Sequence, residues 1–330
     1  MAVSIEDIKK LRHMTGAGMM DCKNALAETE GNIEAAIEII RKKGQAVAAK
    51  REDRQAAEGC VLAACKPGFA AIVALKCETD FVAKNESFRA LTKAILDKAV
   101  EAGAKTLDEV KNLDLNGRTV AENITDEIGK TGEKMELGAY ECIEAPSVAA
   151  YDHLGNKLST IVGFNQEGVT AEVGKEVAMQ VAAMNPVAVD RDAVPASIIE
   201  EEKAVAIEKT KAEQVKKAVE AALKKAGLNP NHFDSEDHIA SNLSKGWFTE
   251  ADAEKAREII KTTSEQKAAN LPQQMIDNIV NGRINKYYKE NCLMEQEYTR
   301  DASLTVGAFL DQTQKGLAVV SFKRVNLNED

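Results

Sequence analysis

The 330-residue sequence predicts an α+β protein. An N-terminal bundle of three short helices leads into a duplicated α/β core with small antiparallel sheets. A helical, coiled-coil protrusion interrupts the second half of that core. Three observations carry this reading. Residues 4–44 hold three short apolar stripes at helical spacing, separated by Gly-containing breaks. The order strand, hairpin, strand, helix occurs twice between Glu58 and Met184. From Pro195 to about Lys267 the chain turns rich in Ala, Glu and Lys, with apolar residues seven apart. The expected division is 1–54 for the bundle and its linker and 55–140 for the first core half. Residues 141–200 with 266–330 form the second half, and 201–265 the protrusion.

Composition excludes several classes. With 44% apolar and 29% charged residues, the chain is that of a soluble globular protein. A net charge of −10 argues against a surface built for nucleic acid, and no direct nucleic-acid binding is expected. No apolar run approaches the ~18 residues of a membrane span. The start, Met1 to Asp7, lacks a basic stretch followed by an apolar one, so no secretory signal is read and a cytoplasmic location is expected. The six cysteines, Cys22, Cys60, Cys65, Cys77, Cys142 and Cys292, include no C-x-x-C pair. The four histidines have no H-E-x-x-H spacing. Cys60 and Cys65 are expected as small buried thiols in an apolar strand. Phosphate-loop, dinucleotide and nucleophile-elbow motifs are absent as well. No metal, cofactor or catalytic residue is expected.

The first helix begins after Ser4, with Ile5, Ile8 and Leu11 as its apolar face. Thr15-Gly16-Ala17-Gly18 breaks it. The second runs from Met19 to Glu28, with Cys22, Ala25 and Leu26 inward. Of the adjacent Met19 and Met20, one is expected to pack and the other to be exposed, because neighbours on a helix point apart. The third carries Ile33, Ala36, Ile37 and Ile40. It is expected to close at Arg41-Lys42-Lys43, with Gly44 as the residue beyond the cap. Gln45 to Ala57 reads as a solvated connecting helix. The three helices and Gly loop resemble a ubiquitin-associated-type bundle. Such a bundle is a binding module, its core being too small to enclose a reaction site.

Glu58–Lys66 and Phe69–Cys77 read as a hairpin around Pro67-Gly68. The stretch from Cys77 to Phe88 organises the core. Thr79 stands at an N-cap position, and Glu78 and Asp80 put negative charge at the positive end of the helix dipole. Phe81, Phe88, Leu91, Ile95 and Ala99 then give one helical stripe, ended by Gly103. Phe81, at the first turn, is either a staple onto its own domain or an apolar wedge for a partner. Shorter helices follow at Leu107–Leu113 and Val120–Ile128.

A second copy is expected from Met135. Met135–Ala145 and Val148–His153 read as strands, with a tip at 152–157 and a return from Leu158 to Asn165. A helix from Glu172 to Met184 closes the copy, carrying Val173, Val177, Met179 and Val181. Its start, Gly168-Val169-Thr170-Ala171, has no aromatic, so the halves are not functionally equivalent. Asn185-Pro186 stops the helix. In the protrusion Ile198, Val205 and Ala212, then Val215, Val219 and Ala222, form a narrow seam. Gly227 to Pro230 turns the chain, His232 to Trp247 reads as irregular, and Thr249-Glu250 caps a helix to about Lys267. Gly316 to Val325 is the last strand.

Thr79-Asp80-Phe81-Val82-Ala83-Lys84-Asn85 resembles the signature of elongation factor Ts, the nucleotide exchange factor of translation. Leu11 to Lys23 and Leu271 to Glu290 are similar to the same family, with Asn281 where Glu is frequent. The stretch around Asn229 to Thr263 is longer than the family's usual pattern. The resemblance implies a partner, elongation factor Tu, in its GDP-bound and nucleotide-free forms. It implies that Thr79, Asp80, Phe81 and Val82 act in dislodging the partner's Mg²⁺. It implies that Arg12, Met19 and Met20 dock the N-terminal module. It leaves a homodimer open. A second class, a ubiquitin-associated-type adaptor without exchange activity, accounts for the bundle but not for the core.

Overall fold

The computed structural model describes residues 3–329. It is an α+β structure of two units: one runs to Val189 and resumes at Glu297, and the other is Asp190–Gln296.

In the first unit, α1 (Ile5–Thr15), α2 (Met19–Glu28) and α3 (Ile33–Arg51) form the N-terminal bundle. Ser4 and Asn32 cap α1 and α3, accepting from Asp7 and Ala35 backbone N–H groups. Gly16 ends α1 in the left-handed conformation (φ 68°), which a glycine adopts without a Cβ clash. Ile8, Leu11, Ala17, Cys22, Ala25, Leu26 and Ala36 make the small core. Ile5 is not part of it. At 70% exposure it is left in solvent, while Val3 ahead of it packs on the cluster.

Helix α3 does not stop at Gly44. It runs on to Arg51, and Gly44 is buried within it. The glycine serves a helix crossing instead of a cap. Val47 and Ala48 pack on the core beyond and Ala56 is buried, while most of residues 45–57 are exposed, as expected of a solvated connector.

Strands β1 (Glu58–Lys66) and β2 (Phe69–Cys77) form the hairpin. Two helices follow, not one: α4 (Asp80–Ala83) and α5 (Glu86–Ala102), separated by a second cap at Asn85. After α6 (Leu107–Asn112) and α7 (Val120–Thr131) comes β3 (Met135–Glu144). It pairs antiparallel with β2, giving the order β1-β2-β3. The strand read as the start of a second copy therefore closes the first sheet.

The second sheet has the equivalent order. β4 (Ser147–Asp152) and β5 (Leu158–Phe164) form its hairpin, α8 (Ala171–Met184) follows, and the third strand, β8, comes much later at Val319–Asn326. One face of the first sheet packs on α5 through Leu75, Phe88, Ile95 and Ala99. The other meets the second sheet through Val61, Ile72, Ile143 and Ile161. β2 is thus buried on both faces, which is why its sequence is a continuous apolar run and not an alternation. On the far side of the second sheet lies α8, where the Thr160 hydroxyl donates to Ala178 O at 2.8 Å. The free edge of β1 is occupied by the second hairpin. Val61 N–H donates to Asn156 O at 2.7 Å, and Ala63 N–H to the Asp152 carboxylate at 2.7 Å. Cys60 is buried as expected, but Cys65 is exposed near the end of β1, in the row of Val61 and Ala63 that faces away from α5.

The second unit is helical. It holds α9 (Ala196–Lys225), α10 (Glu236–Ser244), α11 (Glu250–Ala269) and α12 (Gln273–Asn291). In the first part of α9 the seam lies one residue along from the expected one, while Val219 packs as expected. Ile199, Ala206, Thr210 and Leu223 are buried, whereas Val205 and Ala212 are exposed. Ala206 packs with Ile276, Val280 and Ile284 of α12. Towards the other end, Leu223 joins Phe233, Ile239, Ala253 and Ala256 in a separate cluster. That cluster folds the stretch expected to be irregular: Ser235 caps α10 and turns Ile239 inward. The chain then returns to the first unit through β6 (Glu297–Tyr298), β7 (Asp301–Thr305) and α13 (Val306–Thr313) before β8.

Among the described residues, no helix is long and apolar enough to cross a membrane.

Candidate partner-binding site

At the end of β2 the chain turns outward through Glu78 and Thr79. Thr79 is extended (φ −123°, ψ 155°), and its hydroxyl accepts from Val82 N–H at 3.4 Å. This is N-cap geometry, as read from the sequence. Only one turn of helix follows before Asn85 caps α5, accepting from Ser87 N–H at 3.0 Å. The site is therefore a single turn held between two caps.

The turn sorts its side chains sharply. Ala83 is buried and Val82 packs against the first core cluster. Phe81, between Asp80 and Val82, is 83% exposed. A ring left so far in solvent does not staple the turn onto its own domain. Asp80 pairs with Lys84 at 2.5 Å. That hydrogen bond to the ammonium holds the Asp80 carboxyl below the usual carboxylate range.

Beneath the turn lies a polar network. Glu133 accepts both the Thr79 hydroxyl (2.6 Å) and the Thr79 N–H (3.1 Å). The Cys77 thiol donates to Thr79 O at 3.3 Å. Burial first, and then the nearby Glu133 and Glu58 carboxylates, push that thiol up to about 12. Glu78 accepts from Lys134 N–H at 2.7 Å and from Arg54 at 2.9 Å.

A neighbouring cleft of about 460 Å³ brings Asp80 and Lys84 together with His153, Leu154 and Lys157 of the β4–β5 tip. Leu154 is 91% exposed. Sequence reasoning passed over it as part of a turn. The available signal was a leucine among polar turn residues, Asp152-His153-Leu154-Gly155-Asn156.

In the N-terminal bundle Arg12, Met19 and Met20 are all exposed, as is Met14. The expectation that one methionine of the pair packs inward is corrected. Both lie on the first turn of α2 directly after Gly18, and the buried face of α2 begins only at Cys22. Among the described residues, no group of three or more His, Cys, Asp or Glu side chains is arranged to hold a metal ion.

The family model described as Elongation factor TS matches residues 78–329, beginning at the site's own Glu78. The chain belongs to the elongation factor Ts family. The elongation factor Ts of Parabacteroides distasonis is 58% identical over 331 residues, covering all of both chains. That of Bacteroides fragilis is 57% identical with the same coverage. That of Porphyromonas gingivalis is 47% identical, again over the whole of both chains. Because these alignments run the full length of each relative, the stretch around residues 229–263 is shared with these elongation factors Ts. It is not an addition peculiar to this chain.

Proposed function

We propose that the chain is a guanine nucleotide exchange factor that binds elongation factor Tu carrying GDP and promotes release of the GDP. No covalent bond is made or broken. The factor binds the nucleotide-free partner more tightly than the GDP-bound one, and by linkage it weakens GDP binding by the same factor. GTP then fills the emptied site. This work belongs in the cytoplasm, where translation proceeds.

The observation that carries the reading is Phe81, exposed on a turn whose other side is fixed by Val82 and Ala83. In this mechanism Phe81 enters an apolar pocket on the partner's nucleotide domain. The Thr79–Val82 segment then displaces the Mg²⁺ that compensates the phosphate charge. Leu154 extends the apolar contact beside it. Arg12, Met19 and Met20 hold the partner from the N-terminal bundle, where flexible thioethers suit an adaptable contact. Release of labelled GDP from purified elongation factor Tu, with and without the chain, tests this. Faster release is expected. Unchanged release at saturating concentration overturns the reading.

A further inference from the structure

We propose that Glu133 is a positioning residue for exchange, clamping Thr79 so that the one-turn helix α4 presents Phe81 in its working direction. The inference deepens the exchange reading and rests on it.

A helix of one turn cannot hold its own shape, since nucleation costs more than a single turn of hydrogen bonds returns. α4 must be held from outside. Val82 and Ala83 secure one side by packing. On the other side every polar group of Thr79 is engaged. Its hydroxyl and N–H both donate to Glu133, one to each carboxylate oxygen. Its carbonyl accepts from Ala83 N–H at 3.1 Å and from the Cys77 thiol. The hydroxyl also receives Val82 N–H. A charged acceptor holding two donors of one residue is a strong, directional contact.

The duplicated half supplies an internal comparison. Thr170 occupies the equivalent cap, before α8, and its hydroxyl accepts from Val173 N–H at 3.3 Å. No carboxylate grips Thr170 among the described residues, and no exposed aromatic follows it. Of the two equivalent caps, Thr79 is held by a carboxylate from a distant segment and Thr170 is not. Glu133 also lies in a junction. Lys134 donates its N–H to Glu78 and its ammonium to Glu52 O at 2.9 Å, while Arg54 reaches Glu78. The residues between α7 and β3 therefore fix the exchange turn and the chain leaving α3 together.

Exposed Phe81 makes no demand on folding, so the clamp acts on the direction of the ring and hence on the fraction of encounters that are productive. The test is GDP release from elongation factor Tu measured against the concentration of the full chain, for Glu133→Ala and Glu133→Gln, each alone and combined with Phe81→Ala. The glutamine variant keeps the shape but replaces one of the two accepting oxygens by an NH2 donor, and it serves if the alanine variant folds poorly. The maximal rate is expected to fall about tenfold, the scale of a misplaced working group. The half-saturating concentration should stay within about twofold, because binding elsewhere is untouched. With Phe81→Ala in place, the Glu133 changes should cost nothing further. A full maximal rate in a folded Glu133 variant overturns the inference alone. So does an equal loss in the Phe81→Ala background. A wild-type chain that fails to speed release overturns the inference and the exchange reading together.

Discussion

Gly44 of α3 and Gly129 of α7 meet backbone to backbone. A Cβ built on Gly129 would stand 2.8 Å from Gly44 Cα, whereas one on Gly44 would find Gly129 Cα at 3.5 Å. The contact seats the N-terminal bundle on the core, and it is asymmetric. Gly129→Ala overpacks the crossing and should cost ~1–3 kcal/mol, partly offset by the ~1 kcal/mol that Ala gains over Gly in a helix. Gly44→Ala meets ordinary contact distances and should leave stability level or raised. Thermal unfolding of the two variants checks this; equal effects would contradict the crossing.

The exposed Phe81 and the buried Phe88 make a matched pair. Phe81→Ala should change stability by less than ~0.5 kcal/mol, as exposed substitutions do, and remove most stimulated GDP release. Phe88, fully buried beneath the first sheet, should cost ~3–5 kcal/mol on truncation to Ala. Denaturant titration beside the GDP-release assay separates the two. A Phe81→Ala protein as unstable as Phe88→Ala would mean that the ring is part of the core.

Glu78 carries a pH dependence. The Lys134 N–H, with Arg54 adding and burial opposing, holds its carboxyl below the usual glutamate range. A carboxyl whose folded value is depressed stabilises the fold in full above its unfolded value. That contribution is lost as pH falls through the folded value. The window thus opens near the ordinary glutamate value of ~4.3 and extends below it. Melting temperatures measured downward through that window should fall more steeply for the wild type than for Glu78→Gln. Parallel curves would remove Glu78 from the anchoring network.

The cluster around Ile239 predicts local, not global, melting. Ile239→Ala should cost ~2–5 kcal/mol within its own cluster. Hydrogen exchange should then quicken in α10 and the first turns of α11, with the β1–β5 amides unchanged. Uniformly faster exchange across both units would show that the cluster is not independent.

Much of the fold was legible because it is local. Thr79 caps a helix as read, and the helix expected to start at Gly168-Val169-Thr170-Ala171 forms there, with Thr170 as its cap. The hairpin turn at Pro67-Gly68 is likewise written in its own residues. What escaped was set by distant packing. Gly44 follows three basic residues and carries every local sign of a helix end, but Gly129, far along the chain, makes it a crossing. The first part of the α9 seam slipped by one residue because Ile198-Ile199 and Val205-Ala206 offer two apolar rows, and only the position of α12 chooses between them. At the site, the turn and its residues were readable. The outward aim of Phe81 and the grip of Glu133 were not, because no pattern in one segment reports a partner from another.

The two sheets share a strand order but differ in when that order is completed. The first has all of its strands once Glu144 has been made. In the second, β5 pairs with β4 on one side but must await Val319–Asn326 on the other. A growing chain leaving the ribosome therefore carries an unpaired edge on β5 throughout synthesis of the whole second unit. Such an edge is a template for wrong pairing. The late strand gives this protein a vulnerable interval during its own translation, in which chaperone protection of β5 matters most.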